Sequence, residues 1–223
     1  MTQRLSGMSH EEATGTAKLV YEGSDQFLGR TANLQRILST HSPYLARWFG
    51  GFVAAVRQPN LGATSDVRYR GLAVIKTSML NACAYCTSHT STFGQGLGMT
   101  EEELEALMDD SYETSPLFDG RDRAAIRWSA AMTNNTARRD KPAWDAMKAH
   151  FTDSEIVEIS LACAMFNMIN RLNDSFCTDL EAPDYDRKQW NAVDGLSVED
   201  IEAFASKFAI VGAQERELKA AAE

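Results

Sequence analysis

The sequence predicts an all-α protein. Apolar residues recur at three- and four-residue spacing in segment after segment, and helix-capping signals stand just before those segments. No alternating period-two stretch bounded by turn residues stands out. The 223 residues are 44% hydrophobic and 24% charged, enough to bury a sizeable core without staples. One helical domain is expected over 1–223. Its core lies at about 32–180, with a peripheral N-terminal helix before it and a C-terminal helical extension at about 181–223.

The elements follow in order. In "STHSPYLARWFGGFVAAVRQPN", Ser42 is the expected N-cap and Pro43 the first helical residue. Leu45, Trp48, Phe49, Phe52, Val53 and Val56 form one apolar stripe, and Pro59 ends the helix. "GMTEEELEALMDD" carries a capping box, Thr100 with Glu103, followed by Leu104 and Leu107. "DGRDRAAIRWSAAMT" sets Ala124, Ile126, Trp128, Ala131 and Met132 in a helical pattern. A second box, Thr152 with Glu155, opens a largely buried helix that should run to about Leu172. Ser197 caps a late amphipathic helix. The clearest loops are Thr114 to Gly120 and Glu181 to Gly195, and no repeat of fixed period is present.

Composition narrows the function. A net charge of −9 argues against nucleic acid as a partner. The nearest basic cluster, Arg138 to Lys141, contains an acid and reads as a solvated turn. The N-terminus lacks the apolar region of a signal peptide. The longest apolar-rich run, Ile156 to Ile169, contains Glu158, Ser160 and Asn167 and is too short to span a bilayer, so no membrane partner is expected. A cytoplasmic location follows as the expectation, where thiols are held reduced. Four cysteines are too few for a disulfide scaffold of this length.

Two of those cysteines stand together in "NACAYCTSHT". Cys83 and Cys86 are three apart, which places two sulfurs on one helical face. A helix starting at Asn81 or Ala82 puts Cys83 in its first turn, where unpaired N–H groups favour a thiolate. His89 lies one turn beyond Cys86 and can manage a proton. The group reads as a redox dithiol, with Cys86, Cys83 and His89 as the catalytic residues. A metal site is the alternative, but it needs a fourth ligand and no second pair follows at finger spacing. Passive core cysteines are the other. Cys163 is expected in the core, Cys177 near a helix end in a structural role, and His10, His41 and His150 in structural or surface positions.

"NACAYCTSHT" followed by "GLGMTEEEL" resembles the alkylhydroperoxidase D-like branch of the carboxymuconolactone decarboxylase family. "AHFTDSEIVEISLACAMFNMINRLNDSF" is similar to the family's closing helix, with its Asn-Arg-x-Asn-Asp run at Asn170 to Asp174. The resemblance covers roughly Ala32 to Leu180 and implies an alkylhydroperoxidase D-like helical bundle whose protomers assemble as trimers or hexamers. It implies a thiol peroxidase in which the hydroperoxide attacks Cys86, Cys83 closes the disulfide, and an external dithiol reductant restores the pair. No cofactor and no metal is expected.

Two positions depart from the family pattern. The relay glutamate expected twelve residues before the first cysteine is Gly71, where close approach of a neighbouring helix is the expected reason for glycine. The histidine expected seven residues after the first cysteine is Thr90, with His89 one earlier and so turned by about 100°. Asp66 is the nearest substitute acid, though it reads as a first-turn residue of its own helix. The rival functions are a lyase acting on a carboxylated lactone and a non-catalytic, redox-responsive oligomer.

Overall fold

The computed structural model describes residues 2–59, 61–181 and 196–222, which form ten α-helices and one 3-10 turn, with no strand among the described residues. In chain order these are α1 (Gly15–Leu28), α2 (Asn33–His41), α3 (Pro43–Arg57), α4 (Val67–Leu80), α5 (Ala84–Gly96) and α6 (Glu101–Met108). The turn Ser111–Glu113 comes next, then α7 (Gly120–Thr133), α8 (Lys141–His150), α9 (Asp153–Phe176) and α10 (Val198–Ala222). The all-α prediction holds.

Helix α4 is the central strut, packed against α7, α9 and α5. It is buried from Arg70 through Ser78, so no solvent face is left for a polar stripe. Its two buried cations are satisfied by main-chain oxygens. Arg70 donates to Val56 O at 2.7 Å and Gln58 O at 3.0 Å, and Lys76 Nζ donates to Leu107 O at 2.7 Å and pairs with Asp110. Leu72, Ile75, Ile126, Ile159 and Phe166 form the centre of the core. Gly71 is explained by close approach, although the intruder is a side chain rather than a helix backbone. A Cβ there would stand 3.0 Å from Leu97 Cδ1.

The caps behave as the sequence dictates. Both Thr100–Glu103 and Thr152–Glu155 close reciprocal boxes, and Ser197 pairs with Asp200 at the start of α10. Asp119–Asp122 forms a further box that the sequence reading passed over. Asp66 is the N-cap of α4, accepting from Arg68 N, one position outside the expected first turn. Helix α9 runs one turn past Leu172 and stops where Cys177 turns left-handed at φ 49°. The loop expected at Glu181 to Gly195 lies outside the described residues beyond Glu181.

The α3 stripe is divided by the structure. Val53 and Val56 are buried, whereas Leu45 is 64% and Trp48 62% exposed, on a face shared with Tyr44. The apolar period of α3 is wider than the surface its neighbours cover. Helix α1 is less peripheral than expected. Phe27 and Leu28 join the core, and α10 lies across α1 with Phe204 edge-on to Phe27, ring centres 5.3 Å apart. Gly23 permits that approach, since a Cβ there would meet the Phe204 ring at 2.7 Å. Glu215 of α10 accepts from Thr16 N and Thr16 Oγ1, both at 2.7 Å.

Candidate active site

The site begins in the turn between α4 and α5. Ala82 adopts a left-handed φ of 51°, unfavourable for a residue with a Cβ. Asn81 holds the turn in place, donating from Nδ2 to Asn167 Oδ1 at 3.0 Å and to Asn170 Oδ1 at 2.8 Å on α9. The chain therefore enters α5 with Cys83 as the N-cap itself, one step earlier than the expected first turn. Its Sγ accepts the Cys86 N–H at 3.3 Å.

The two sulfurs lie 2.6 Å apart, both cysteines being free and buried. The contact with the Cys86 sulfur, with the Cys86 N–H, pulls the Cys83 pKa below that of an ordinary thiol. Cys86 moves the opposite way, pushed up by the adjacent Cys83 sulfur and by burial. The pair thus holds one proton more tightly than the other. Asn173 Nδ2 also donates to Cys86 Sγ, at 3.2 Å.

His89 lies one turn beyond Cys86 and is buried. Its ring stacks on Tyr85, centres 4.2 Å apart. Its Nε2 meets Glu181 Oε2 at 2.8 Å. A carboxylate only accepts, so Nε2 carries the hydrogen and the neutral ring keeps its lone pair on Nδ1. The other carboxylate oxygen accepts from Tyr85 Oη at 2.7 Å and from Asn33 N at 2.8 Å, and Arg30 stands 3.7 Å from Oε2. Burial would raise the Glu181 pKa, but His89 and the Asn33 and Tyr85 donors outweigh it and hold the carboxyl at about 2. Burial lowers the His89 pKa, and Glu181 opposes that shift without reversing it.

Cys86, His89 and Asn173 line a cavity of about 60 Å³, together with Arg30, Arg57 and the apolar side chains of Leu34, Phe49, Val53 and Phe166. Arg57 stacks on Phe93 at 4.1 Å. Burial and the nearby Arg30 draw its pKa down to about 9. Among the described residues no three His, Cys, Asp or Glu side chains converge as metal ligands would.

The structure thus brings Cys83 and Cys86 together and sets His89 on the same cavity as Cys86. Thr90 turns back on its own helix, donating to Cys86 O at 2.9 Å. Asp66 is occupied as a cap. Cys163 is buried and accepts from Thr77 Oγ1 at 3.2 Å; Cys177 caps α9. His10 pairs with Asp25, His41 Nε2 lies 3.0 Å from Ser6 O, and His150 lies in the last turn of α8, as expected. Sequence reasoning missed Glu181. It reaches the site from 96 residues beyond Tyr85, one position past the end of the resemblance, with no local motif to announce it. Asn173 was within reach of the Asn-Arg-x-Asn-Asp signal, which named the run without assigning it a partner.

The sequence matches no family model, and no curated protein is significantly similar to it. Solved structures share its fold. The debrominase Bmp8 superposes with a TM-score of 0.68 at 22% identity, covering 82% of this chain and 94% of its own. A peroxidase-related protein from Silicibacter sp. TM1040 gives 0.64 at 20% identity, covering 82% and 96%. An alkylhydroperoxidase AhpD core protein from Ralstonia eutropha JMP134, also peroxidase-related, gives 0.66 at 16% identity, covering 80% and 92%. The fold is the alkylhydroperoxidase D-like helical bundle. No helix among the described residues is long and apolar enough to cross a membrane.

Proposed function

We propose that this single-domain protein is a cytoplasmic thiol-dependent hydroperoxidase of the alkylhydroperoxidase D-like kind, with Cys86 as the attacked thiol, Cys83 as its resolving partner and His89 as the proton carrier. One observation carries the reading: two free thiols 2.6 Å apart, one of them opening with an imidazole onto a small cavity. Cys83, the more acidic thiol, does not line that cavity, whereas Cys86 does. Access supports Cys86 as the attacked thiol, and acidity supports Cys83 as the one that holds the negative charge.

The chemistry balances on these residues. His89 Nδ1 takes the Cys86 proton, and Asn173 steadies the resulting thiolate. The thiolate attacks the hydroxyl oxygen of a hydroperoxide. The O–O bond breaks, Cys86 becomes a sulfenic acid, and the departing alkoxide takes a proton from imidazolium, which the Glu181 carboxylate stabilises. Cys83 then attacks the Cys86 sulfur, water leaves and the disulfide closes. An external dithiol supplies the two electrons that reopen it. In this reading Glu181 takes the proton-relay role of the glutamate missing at Gly71.

Rapid mixing of the reduced protein with hydroperoxide, alkylation quench and mass mapping of every cysteine tests the reading. A fast, stoichiometric Cys83–Cys86 disulfide supports it. Slow oxidation spread over all four cysteines removes it and returns the redox-responsive oligomer to the front.

A second reading has one observation in its favour. Bmp8, a debrominase, has also been solved as a cysteine-to-alanine variant with 2,3,4-tribromopyrrole, and that structure superposes with a TM-score of 0.69 at 21% identity. The same oxidation of two thiols to a disulfide can replace a carbon–bromine bond by carbon–hydrogen with release of bromide. Bromide release from a bromopyrrole, at a rate above that of hydroperoxide reduction, would favour it. A lyase would use none of this thiol geometry. The exposed Tyr44, Leu45 and Trp48 on α3 suit assembly into trimers or hexamers.

A further inference from the structure

Asn173 has a bonding pattern that the dithiol chemistry alone leaves unexplained. The side chain is 3% exposed. Its Nδ2 donates twice, to Cys86 Sγ and to Ile169 O, each at 3.2 Å. The Ile169 carbonyl can only accept, so it fixes which way the amide faces. The other end, Oδ1, is buried and no group among the described residues bonds it. A buried amide oxygen without a donor costs desolvation with no return, and such an atom in a native site calls for an explanation.

The residue lines the same cavity as Cys86 and His89. The volume there is about 60 Å³, and one water takes about 10–15 Å³ by that measure. A functional group of a few atoms fits, and Phe49, Val53 and Phe166 offer apolar contact to whatever is attached to it.

We propose that Asn173 is a substrate-binding residue whose Oδ1 accepts the hydrogen of an oxygen-bound O–H group in the dithiol cavity. The site then takes organic molecules that end in a protic oxygen and discriminates against analogues in which that oxygen is alkylated. This deepens the hydroperoxidase reading and rests on it for the identity of the substrate. One amide holds both reactants: Nδ2 the Cys86 sulfur, Oδ1 the hydrogen on the oxygen that sulfur attacks. A dialkyl peroxide has no such hydrogen and would leave Oδ1 unbonded, a loss that sites built for a hydroxyl punish strongly.

The test uses ligands that cannot oxidise a thiol. tert-Butanol and its methyl ether are titrated into the reduced full-length protein by NMR, alongside Asn173→Leu and Asn173→Asp. The wild type should bind the alcohol about tenfold or more better than the ether, one hydrogen bond's worth. Asn173→Leu should lose that preference, and Asn173→Asp, which keeps an acceptor, should retain it. Equal binding of the two ligands by wild type overturns the proposal, as does a preference that survives in Asn173→Leu. If Asn173→Leu does not fold, the wild-type ratio and Asn173→Asp decide alone. A protein that prefers the alcohol yet consumes no hydroperoxide loses the peroxidase reading and keeps Asn173 as an O–H binding residue.

Discussion

Helices α1 and α3 wall two cavities of opposite character, and Ser24 touches both. The one against α5 and α9 holds about 60 Å³, with Cys86, His89, Asn173 and two arginines among its walls. The one under α10 holds about 400 Å³, and apart from Arg47 and Ser24 its walls are apolar, including Leu19, Phe27, Phe52, Phe204 and Phe208. The larger space has almost nothing with which to do chemistry. The smaller one is where buried polar groups converge, held by named partners apart from Asn173 Oδ1, and burying such groups costs too much to happen without a reason. Volume marks imperfect packing, whereas converging hydrogen bonds mark a site.

That contrast can be broken from either side. The largest effect should come from Cys86→Ser, which leaves the cavity's shape and removes the thiol proposed as its nucleophile. Hydroperoxide consumption should fall about a thousandfold or more, to background, in a coupled dithiol assay. Full activity would refute the assignment of Cys86. On the other side, Phe204→Ala should cost ~3 kcal/mol in thermal unfolding, since it opens space beside Phe27. It should leave the rate of Cys83–Cys86 disulfide formation in the folded protein unchanged. If both fall together, the two cavities are one functional unit.

Glu181→Gln should slow peroxide reduction by about a hundredfold by taking away the charge that supports His89. It should also change the acid limb of stability. Glu181 has a folded pKa of about 2, below the ordinary 4.5, so its stabilisation is full above 4.5 and is lost as pH falls toward 2. Denaturation followed between those values should be shallower in the variant. For His89 the shift is also downward, so the ring is neutral above the ordinary 6.5 and the rate should decline only at a pH below that. Gly71→Glu should destabilise by about 1–3 kcal/mol, through collision with Leu97, and restore no activity. The smallest effect belongs to the exposed face of α3. Leu45→Glu should move the unfolding free energy by less than about 0.5 kcal/mol while lowering the particle mass seen by light scattering.

Local features were readable in the sequence because local physics determines them. Thr100, Thr152 and Ser197 announce helix starts by spacing alone, and Cys86 and His89 share a face because a helix repeats every 3.6 residues. The α3 stripe is only partly covered, because periodicity identifies an apolar face but not the neighbour that covers it. Helix α4 offers the opposite case. It is buried all round, and its Arg70 and Lys76 look like solvent residues until main-chain oxygens on other segments are found for them. Glu181 was invisible for the same reason. Its partners, Asn33, Tyr85 and His89, lie far from it along the chain, Asn33 148 residues and Tyr85 96 residues away, and nothing in its neighbours in sequence encodes a meeting that only the folded backbone arranges.

The separation of Glu181 from Tyr85 also sets a schedule. The ribosome delivers 96 further residues between the two, about 5–20 s of synthesis at ordinary elongation rates. Through that interval the emerging chain carries its thiols and its imidazole without the carboxylate that joins Tyr85, His89 and Asn33. The candidate site is completed by a segment made well after its thiols, so a chain released before Glu181 has the cysteines of the site but not the site.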